Sequence, residues 1–428
     1  MDLVSSVFGS IAHWVDIQSL LLFTVLFLLI ADYLKTRRPS SFPPGPWALP
    51  FVGNIFTVDF NRTYGDVYSL RMGQTWMVVL NGFQIVKEAL VTQGDSLADR
   101  PILPFQVDMF LNLAGPQSEG KPFNPHLIIN NAVSNMICSL IVGHRFEYED
   151  ERFIKLIKRF DSALQSATSI WAQASKIHFN QLKMTGQYYT FRKCARLFFQ
   201  YFMMNIFVYS QRKGDAESTF SEENLVICAL DLFVAGSETT STTLRWAFLY
   251  MAKYPEIQEK VQAEIDRVIG QSRKPSMMDR ANLPYTDAVI HEIQRMGNIV
   301  PLSLRHSTNR DIQLGDYTVP KGVVIIPNLT SVLFDKREWE TPYTFNPGHF
   351  LNEEGKFVKR AAFIPFSAGK RVCLGENLAR MEIFLFFTSF MQRFTISVPA
   401  GTKLVLDFCF GFTLARAPYE ICATLCRE

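Results

Sequence analysis

One cysteine in this chain sits where sulfur chemistry is favoured. The stretch 363–387 reads FIPFSAGKRVCLGENLARMEIFLFF, so Ser367, Ala368 and Gly369 precede the basic pair Lys370 and Arg371, and Cys373, Leu374 and Gly375 follow. After the cysteine the spacing turns helical, with apolar Leu378, Met381 and Leu385 among polar Glu376, Arg380 and Glu382. Cys373 then lies just ahead of a helix N-terminus, where unpaired N–H groups and the macrodipole favour a thiolate. Arg371 adds positive charge nearby. Gly369 and Gly375 lack a Cβ and let a large flat group come close to the backbone. A lone intracellular cysteine is more often a buried structural residue, so the sulfur alone decides nothing; its neighbours do.

A second set of reactive groups falls inside the longest helical pattern, 218–253, which Pro255 stops. Thr219 and Glu222 have the spacing of a capping box at its start. Asp231 and Glu238 in its middle argue against a membrane span. Within it runs Ala235-Gly236-Ser237-Glu238-Thr239-Thr240. Gly236 costs such a helix about 1 kcal/mol relative to alanine, which implies that something approaches the backbone there. Glu238 and Thr239 bring a carboxylate and a hydroxyl together mid-helix, although hydroxyls in helices also bond back to their own carbonyls. A third set, His291-Glu292-Ile293-Gln294-Arg295, places Glu292 and Arg295 three apart on one helical face. Taken by itself that is an ordinary surface pair contributing about 0–1 kcal/mol.

Phe366, Gly369, Arg371, Cys373 and Gly375 spell F-x-x-G-x-R-x-C-x-G, which resembles the haem-binding loop of the cytochrome P-450 superfamily, in its microsomal, family-two-like branch. The segment 235–240 is similar to that family's oxygen-activating A/G-G-x-D/E-T-T/S. Glu292 and Arg295, with FNPGHF at 345–350, resemble its E-x-x-R and meander motifs. The resemblance implies haem b (iron protoporphyrin IX) with Cys373 as axial thiolate and Phe366, Gly369 and Gly375 beside the cofactor. Arg371 and His306, the latter ending PLSLRH at 301–306, would bind propionates. Thr239 assisted by Glu238 would deliver protons. Glu292, Arg295 and His349 would be structural, and Phe233, Ala235, Val300, Leu304 and Phe410 would face the substrate. The implied activity is an unspecific-type monooxygenase placing one oxygen atom from O2 into lipophilic molecules (fatty acids, steroids or xenobiotics). Its electrons would come from NADPH through NADPH–cytochrome P-450 reductase, with cytochrome b5 as a second donor the family admits. Lys370, Arg380, Lys359 and Arg360 would either steer the acidic reductase or form a solvated face.

The chain also departs from the pattern. Between Arg100-Pro101 and the G-x-P-F-N-P-H run at 120–126 only residues 102–119 intervene, and no tryptophan has an arginine four residues on. The family's W-x-x-x-R helix, whose Trp and Arg bind a propionate, is therefore missing. From 171 to 212 the match fades. The run FFQYFMMNIFVY at 198–209 is too short to span a bilayer and reads equally as a surface-dipping segment, a core helix or foreign sequence. The competing expectation is a catalytically inactive, haem-deficient, membrane-anchored variant. A haem-thiolate isomerase or lyase is a third reading, against which the Glu238–Thr239 pair argues.

The elements that must hold these groups follow from pattern and composition. A chain of 428 residues, 48% hydrophobic with 37 phenylalanines, can bury a large core. A net charge of +3 gives no reason to expect nucleic-acid binding. Seven cysteines show no CxxC pair or metal-ligand spacing, which points to a reducing compartment for the bulk of the chain. From Ile17 to Ala31 there is no charge, a short but credible membrane segment if tilted or extended through Val4 to Trp14. No basic n-region or A-x-A-like site marks it as a cleaved signal. Lys35, Arg37 and Arg38 behind it place the remainder in the cytosol, and the resemblance implies the endoplasmic reticulum membrane. The expected division is an anchor at 1–34, a basic, proline-rich hinge at 35–53 carrying Pro43-Pro44-Gly45-Pro46, and a haem domain at 54–428. Strand patterns at Val67–Leu70 and Met77–Leu80 predict a hairpin, and 315–327 another. Helical spacing covers 85–91 and 130–143. The sum is a mainly α fold with a small β region, the architecture of the P-450 family.

Overall fold

The computed structural model describes residues 17–38, 40–54, 62–73, 75–99, 122–142, 145–148, 150–151, 153–154, 157, 222–402, 404, 408–410 and 413–426. The shortened 102–119 stretch, the atypical 171–212 stretch and Thr219 lie outside these residues. The chain divides into two compact units, 1–101 with 304–328, and 102–303 with 329–428.

The first unit holds helix α1 (Ile17–Lys35), strands β1 (Val67–Met72) and β2 (Thr75–Asn81), and helix α2 (Phe83–Lys87), which continues as a wider π turn over Glu88–Thr92. Strands β3 (His306–Ser307), β4 (Ile312–Leu314), β5 (Tyr317–Val319) and β6 (Val324–Asn328) complete it. β1 and β2 form the expected antiparallel hairpin, with Val67 opposite Leu80 and Met72 opposite Thr75. The 315–327 expectation needs correction. β5 pairs back with β4, while β6 runs parallel to β2, so the sheet order is β1-β2-β6-β3. All five β6 residues are buried, as a strand with neighbours on both sides requires.

The proline-rich segment is docked and does not hang free. The Ser69 N–H donates to the Pro44 carbonyl at 2.6 Å, its hydroxyl donates to the Pro43 carbonyl at 2.7 Å, and any Cβ at Gly45 would collide with the Ser69 carbonyl. Helix α1 is tied at its C-terminal end. Arg71 on β1 pairs with Asp32 at 3.2 Å, both side chains about 5% exposed, and also bonds Thr36 and the Leu49 carbonyl. The Trp76 indole donates to the Thr36 carbonyl at 3.2 Å. Leu20 to Ile30 of α1 carry exposed apolar side chains. Among the described residues no helix is long and apolar enough to cross a membrane.

The second unit is helical. It contains α3 (His126–Val142), the 32-residue α4 (Glu222–Lys253), α5 (Pro255–Val268), α6 (Pro284–Gly297), the single turn α7 (Thr330–Leu333) and α8 (Glu376–Arg393). Two small antiparallel pairs accompany them: β7 (Phe394–Ser397) with β10 (Cys422–Leu425), and β8 (Phe408–Phe410) with β9 (Leu414–Arg416). Pro255 ends α4 and opens α5 as its first residue, where its missing N–H costs nothing. From Leu244 to Met251 α4 is buried on all sides and packs with Val261 and Ile265 of α5, Val289 and Ile293 of α6, and Phe384, Phe387 and Met391 of α8. Each such side chain contributes about 1.5–3 kcal/mol by leaving water, so this bundle fixes where α4 and α8 can stand.

Candidate active site

The cysteine loop is built by backbone hydrogen bonds. Ser367 and Gly369 both adopt positive φ, 66° and 74°, folding the chain back before a 3-10 turn at Gly369–Arg371. The Cys373 N–H donates to the Phe366 carbonyl at 3.0 Å, and the Ala379 N–H to the Gly375 carbonyl at 2.9 Å, so Gly375 caps α8. Cys373 thus stands three residues ahead of α8, as its spacing implied. Its thiol is exposed, Leu374 is 94% exposed, and a Cβ on Gly375 would meet nothing within 4 Å. A sulfur ligand beside an apolar, sterically open backbone suits a flat, largely apolar macrocycle, and the residues fit haem.

The acidity of the thiol differs from the sequence expectation. Partial desolvation pushes the Cys373 pKa up, the Glu376 carboxylate adds to that, and only the Gly375 N–H favours the thiolate. The helix end therefore helps, but the acidic first residue of α8 opposes it. A metal cation bound there would remove the thiol proton outright, so coordination and not the dipole would make the anion. Arg371 is exposed, where solvent and salt screen its charge.

Arg380, one turn into α8, braces this loop. It pairs with Glu376 at 2.9 Å and lies 4.9 Å over the Phe366 ring. Its Nη1 donates to His291 Nε2 at 3.0 Å, and His291 Nδ1 in turn reaches the Asp287 carbonyl at 2.7 Å. A carbonyl can only accept, so Nδ1 carries the proton and Nε2 is the acceptor. His291 and Arg380 entered the sequence reading only as a motif flank and a basic surface residue. Arg360, from the same basic group, pairs with Glu340 at 3.3 Å.

On α4 the hydroxyl and carboxylate point to separate partners. Thr239 Oγ1 donates to the Ala235 carbonyl at 2.8 Å. Glu238 Oε1 accepts from Thr413 Oγ1 at 2.7 Å and from Thr242 Oγ1 at 3.3 Å. The residue that approaches Gly236 is Ile137 of α3, whose Cδ1 lies 2.7 Å from where a Cβ would be. Gly236 therefore admits a neighbouring helix. Ala235 is exposed, but Phe233 is buried with Ile137, Cys138, Phe153 and Ile157. That corrects Phe233 as a substrate-facing residue: it is two positions from Ala235 and turned into the core. Val300 is half-buried, and its carbonyl accepts from the Ser303 N–H. The side chain of Phe410 lies outside the described residues.

The pair Glu292–Arg295 is no surface pair. Both side chains are fully buried. Arg295 Nε and Nη2 each donate to Glu292 at 2.8 Å, and Nη1 donates to the Leu333 and Pro342 carbonyls at 2.8 and 2.7 Å. Glu292 also accepts the Asn346 N–H at 2.8 Å, and His349 Nδ1 faces its Oε2 at 3.3 Å. The fold thus brings Glu292, Arg295 and His349 together, joining α6 to 333–349. In the first unit His306 is buried with Nδ1 on the Leu97 carbonyl at 2.8 Å, and Leu304 is exposed.

Comparison with known proteins agrees with these motifs. A family model described as Cytochrome P450 matches residues 43–108, 106–206 and 192–423. Cytochrome P450 2J2 of Homo sapiens is 42% identical over 487 aligned positions, covering 95% of this chain and 96% of that protein. Cytochrome P450 2J1 of Oryctolagus cuniculus is 41% identical, covering 98% of each. Cytochrome P450 2D6 of Homo sapiens is 39% identical, covering 93% of this chain and 97% of that protein. An alignment of 487 positions exceeds the 428 residues here, so dozens of positions in that relative have no counterpart in this chain.

Proposed function

Because the chain belongs to the cytochrome P450 family, whose members carry haem b, we propose that it is a microsomal haem-thiolate monooxygenase acting on lipophilic substrates, with Cys373 as the iron ligand. The observation that supports this most is the exposed sulfur at the head of α8, a helix packed directly on the one that carries Glu238 and Thr239. When bound, haem activates O2: one atom enters the substrate, the other leaves as water, and two electrons and two protons are consumed. The electrons come from NADPH through a flavoprotein reductase, which the exposed Lys370 helps to steer.

The chain's own residues bind, orient and move protons. Gly375 leaves the backbone open to the macrocycle, Gly369 supplies the positive φ that turns the loop, and Phe366, clamped by Arg380, fixes the loop that holds the sulfur. Arg371 holds a propionate by charge-assisted hydrogen bonds. Thr239 keeps its own proton on the Ala235 carbonyl, so its oxygen can accept from a water and aim that water's second proton outward. Glu238, held by Thr413, supplies protons to the same site. Ala235 and Val300 give the substrate an apolar surface. Glu292, Arg295 and His349 are structural. The N-terminal apolar segment anchors the chain in the endoplasmic reticulum membrane.

The reduced carbon-monoxide difference spectrum of the purified, haem-loaded chain tests this reading. A thiolate-type band is expected, lost in Cys373→Ala or Cys373→His; a band that persists in either variant removes Cys373 as ligand. The sequence lacks a W-x-x-x-R helix, and this supports a second reading, a haem-deficient, inactive form. A wild-type chain that takes up no haem would establish it.

A further inference from the structure

Five consecutive hydroxyl residues, Thr239 to Thr243, line the middle of α4, and they do not behave alike. Thr239, Ser241 and Thr243 donate back to carbonyls of their own helix, those of Ala235, Glu238 and Thr239. Thr240 and Thr242 bond side chains instead. Thr242 meets Thr413 and Glu238, and Thr240 donates to Glu382 Oε2 of α8 at 3.2 Å, across 142 residues of sequence. Glu382 is 2% exposed, and its other oxygen, Oε1, is buried with no hydrogen-bond partner among the described residues. Several charged side chains on the elements around α8 are engaged elsewhere. Glu264 of α5 takes the Tyr285 and Thr286 N–H groups, and Asp287 of α6 is paired with Arg280 and His291. Arg273 binds Asp279, and Arg380 binds Glu376 and His291.

A buried carboxyl with one partner is costly, so its place in the middle of α8 calls for a reason. α8 begins at the cysteine loop and α4 carries Thr239, the neighbour of Thr240. We propose that Glu382 is a positioning residue: by holding the Thr240 hydroxyl it fixes the rotation of α4 against α8, and so the placement of Thr239 relative to Cys373. This rests on the reading of Thr239 as the proton-delivering hydroxyl. Burial raises the Glu382 carboxyl to about 7, against a smaller lowering by the Thr240 hydroxyl. Folded protein therefore binds a proton that the unfolded chain, with an ordinary carboxylate near 4.3, has lost. On that account stability falls as pH rises from the unfolded value to the folded one, and levels off above it.

The test uses the full-length, haem-loaded chain with its reductase, lauric acid as probe, and the variants Glu382→Gln, Glu382→Leu, Thr240→Val and Thr239→Ala. Two quantities are read: peroxide released per NADPH consumed, and the pH dependence, from pH 5 to 8.5, of the temperature at which the haem absorbance is lost. Glu382→Leu and Thr240→Val should each raise the peroxide ratio several-fold, and the double variant no further than either. Glu382→Gln, which still accepts from Thr240, should keep the wild-type ratio but lose the fall in stability between pH 5 and 7. Thr240→Val should extend that fall to higher pH, because the charged form has lost its hydrogen bond. Additive effects of the pair, or an unchanged ratio in Thr240→Val, would overturn the proposal; the conservative valine keeps this arm informative where Glu382→Leu does not fold. Uncoupling by Thr239→Ala with none from Thr240→Val rejects the Glu382 role alone. No uncoupling by Thr239→Ala rejects the reading of Thr239, and the role of Glu382 with it.

Discussion

On the proposed reading the Thr239 hydroxyl is both helix filler and functional group. Its proton is committed to the Ala235 carbonyl, as mid-helix threonines commonly do, yet this leaves its oxygen oriented as an acceptor. Thr239→Ala keeps the helix, and alanine raises its intrinsic propensity. We expect NADPH consumption to continue while product formation drops, a loss of order 10²-fold in the proton-delivery step. Product per NADPH, measured beside peroxide, checks this; unchanged coupling removes the role. The helix positions of the cysteine and this threonine were legible in the sequence because each is embedded in a short local motif. The acidity of Cys373 was not, since it depends on desolvation and on Glu376 at the first position of α8. Glu382 was equally illegible, because its partner Thr240 lies on another helix.

Elements carry costs that residue types do not announce. The spacing of Glu292 and Arg295 is that of a weak surface pair, and the fold turns it into a buried fork bonded to three backbone carbonyls. Removing one partner leaves an uncompensated buried charge, worth about 3–5 kcal/mol. Arg295→Lys keeps the charge but loses the bidentate geometry, so we expect it to lower haem retention and thermal stability almost as far as Arg295→Ala. A lysine variant that melts with the wild type would show the fork to be dispensable. Gly236 gives the complementary case. Gly236→Val should crowd Ile137 and cost about 1–3 kcal/mol, and Ile137→Ala in the same chain should recover part of it. If Gly236→Val destabilises equally in both backgrounds, the α3–α4 contact is not the cause. Local patterns did reveal the β1–β2 hairpin, the α4 span and the Pro255 break. They misread 315–327, since the choice between pairing β6 with β5 or with β2 depends on a strand nearly 250 residues earlier.

At the scale of the molecule, each unit has its own kind of glue. The second is a helical bundle closed by aromatic and aliphatic packing. The first joins a sheet, a docked proline segment and α1 through buried polar contacts. Among the described residues Asp32 is the acidic partner in that joint, and in the sequence it stands merely at the end of an apolar run. With Arg71 it forms a pair whose loss should cost on the order of 3 kcal/mol. Asp32→Ala should therefore lower the melting temperature of the full chain, while Asp32→Ala with Arg71→Leu should recover much of the loss. Equal destabilisation by the single and double changes would place the effect elsewhere.

The same joint has a mechanical corollary. With Asp32, Thr36 and the Trp76 indole bonded across it, α1 behaves as a handle welded to its sheet, with no swivel at the weld. Any tilt imposed on the handle from outside is handed on to β1 and β2 as torque.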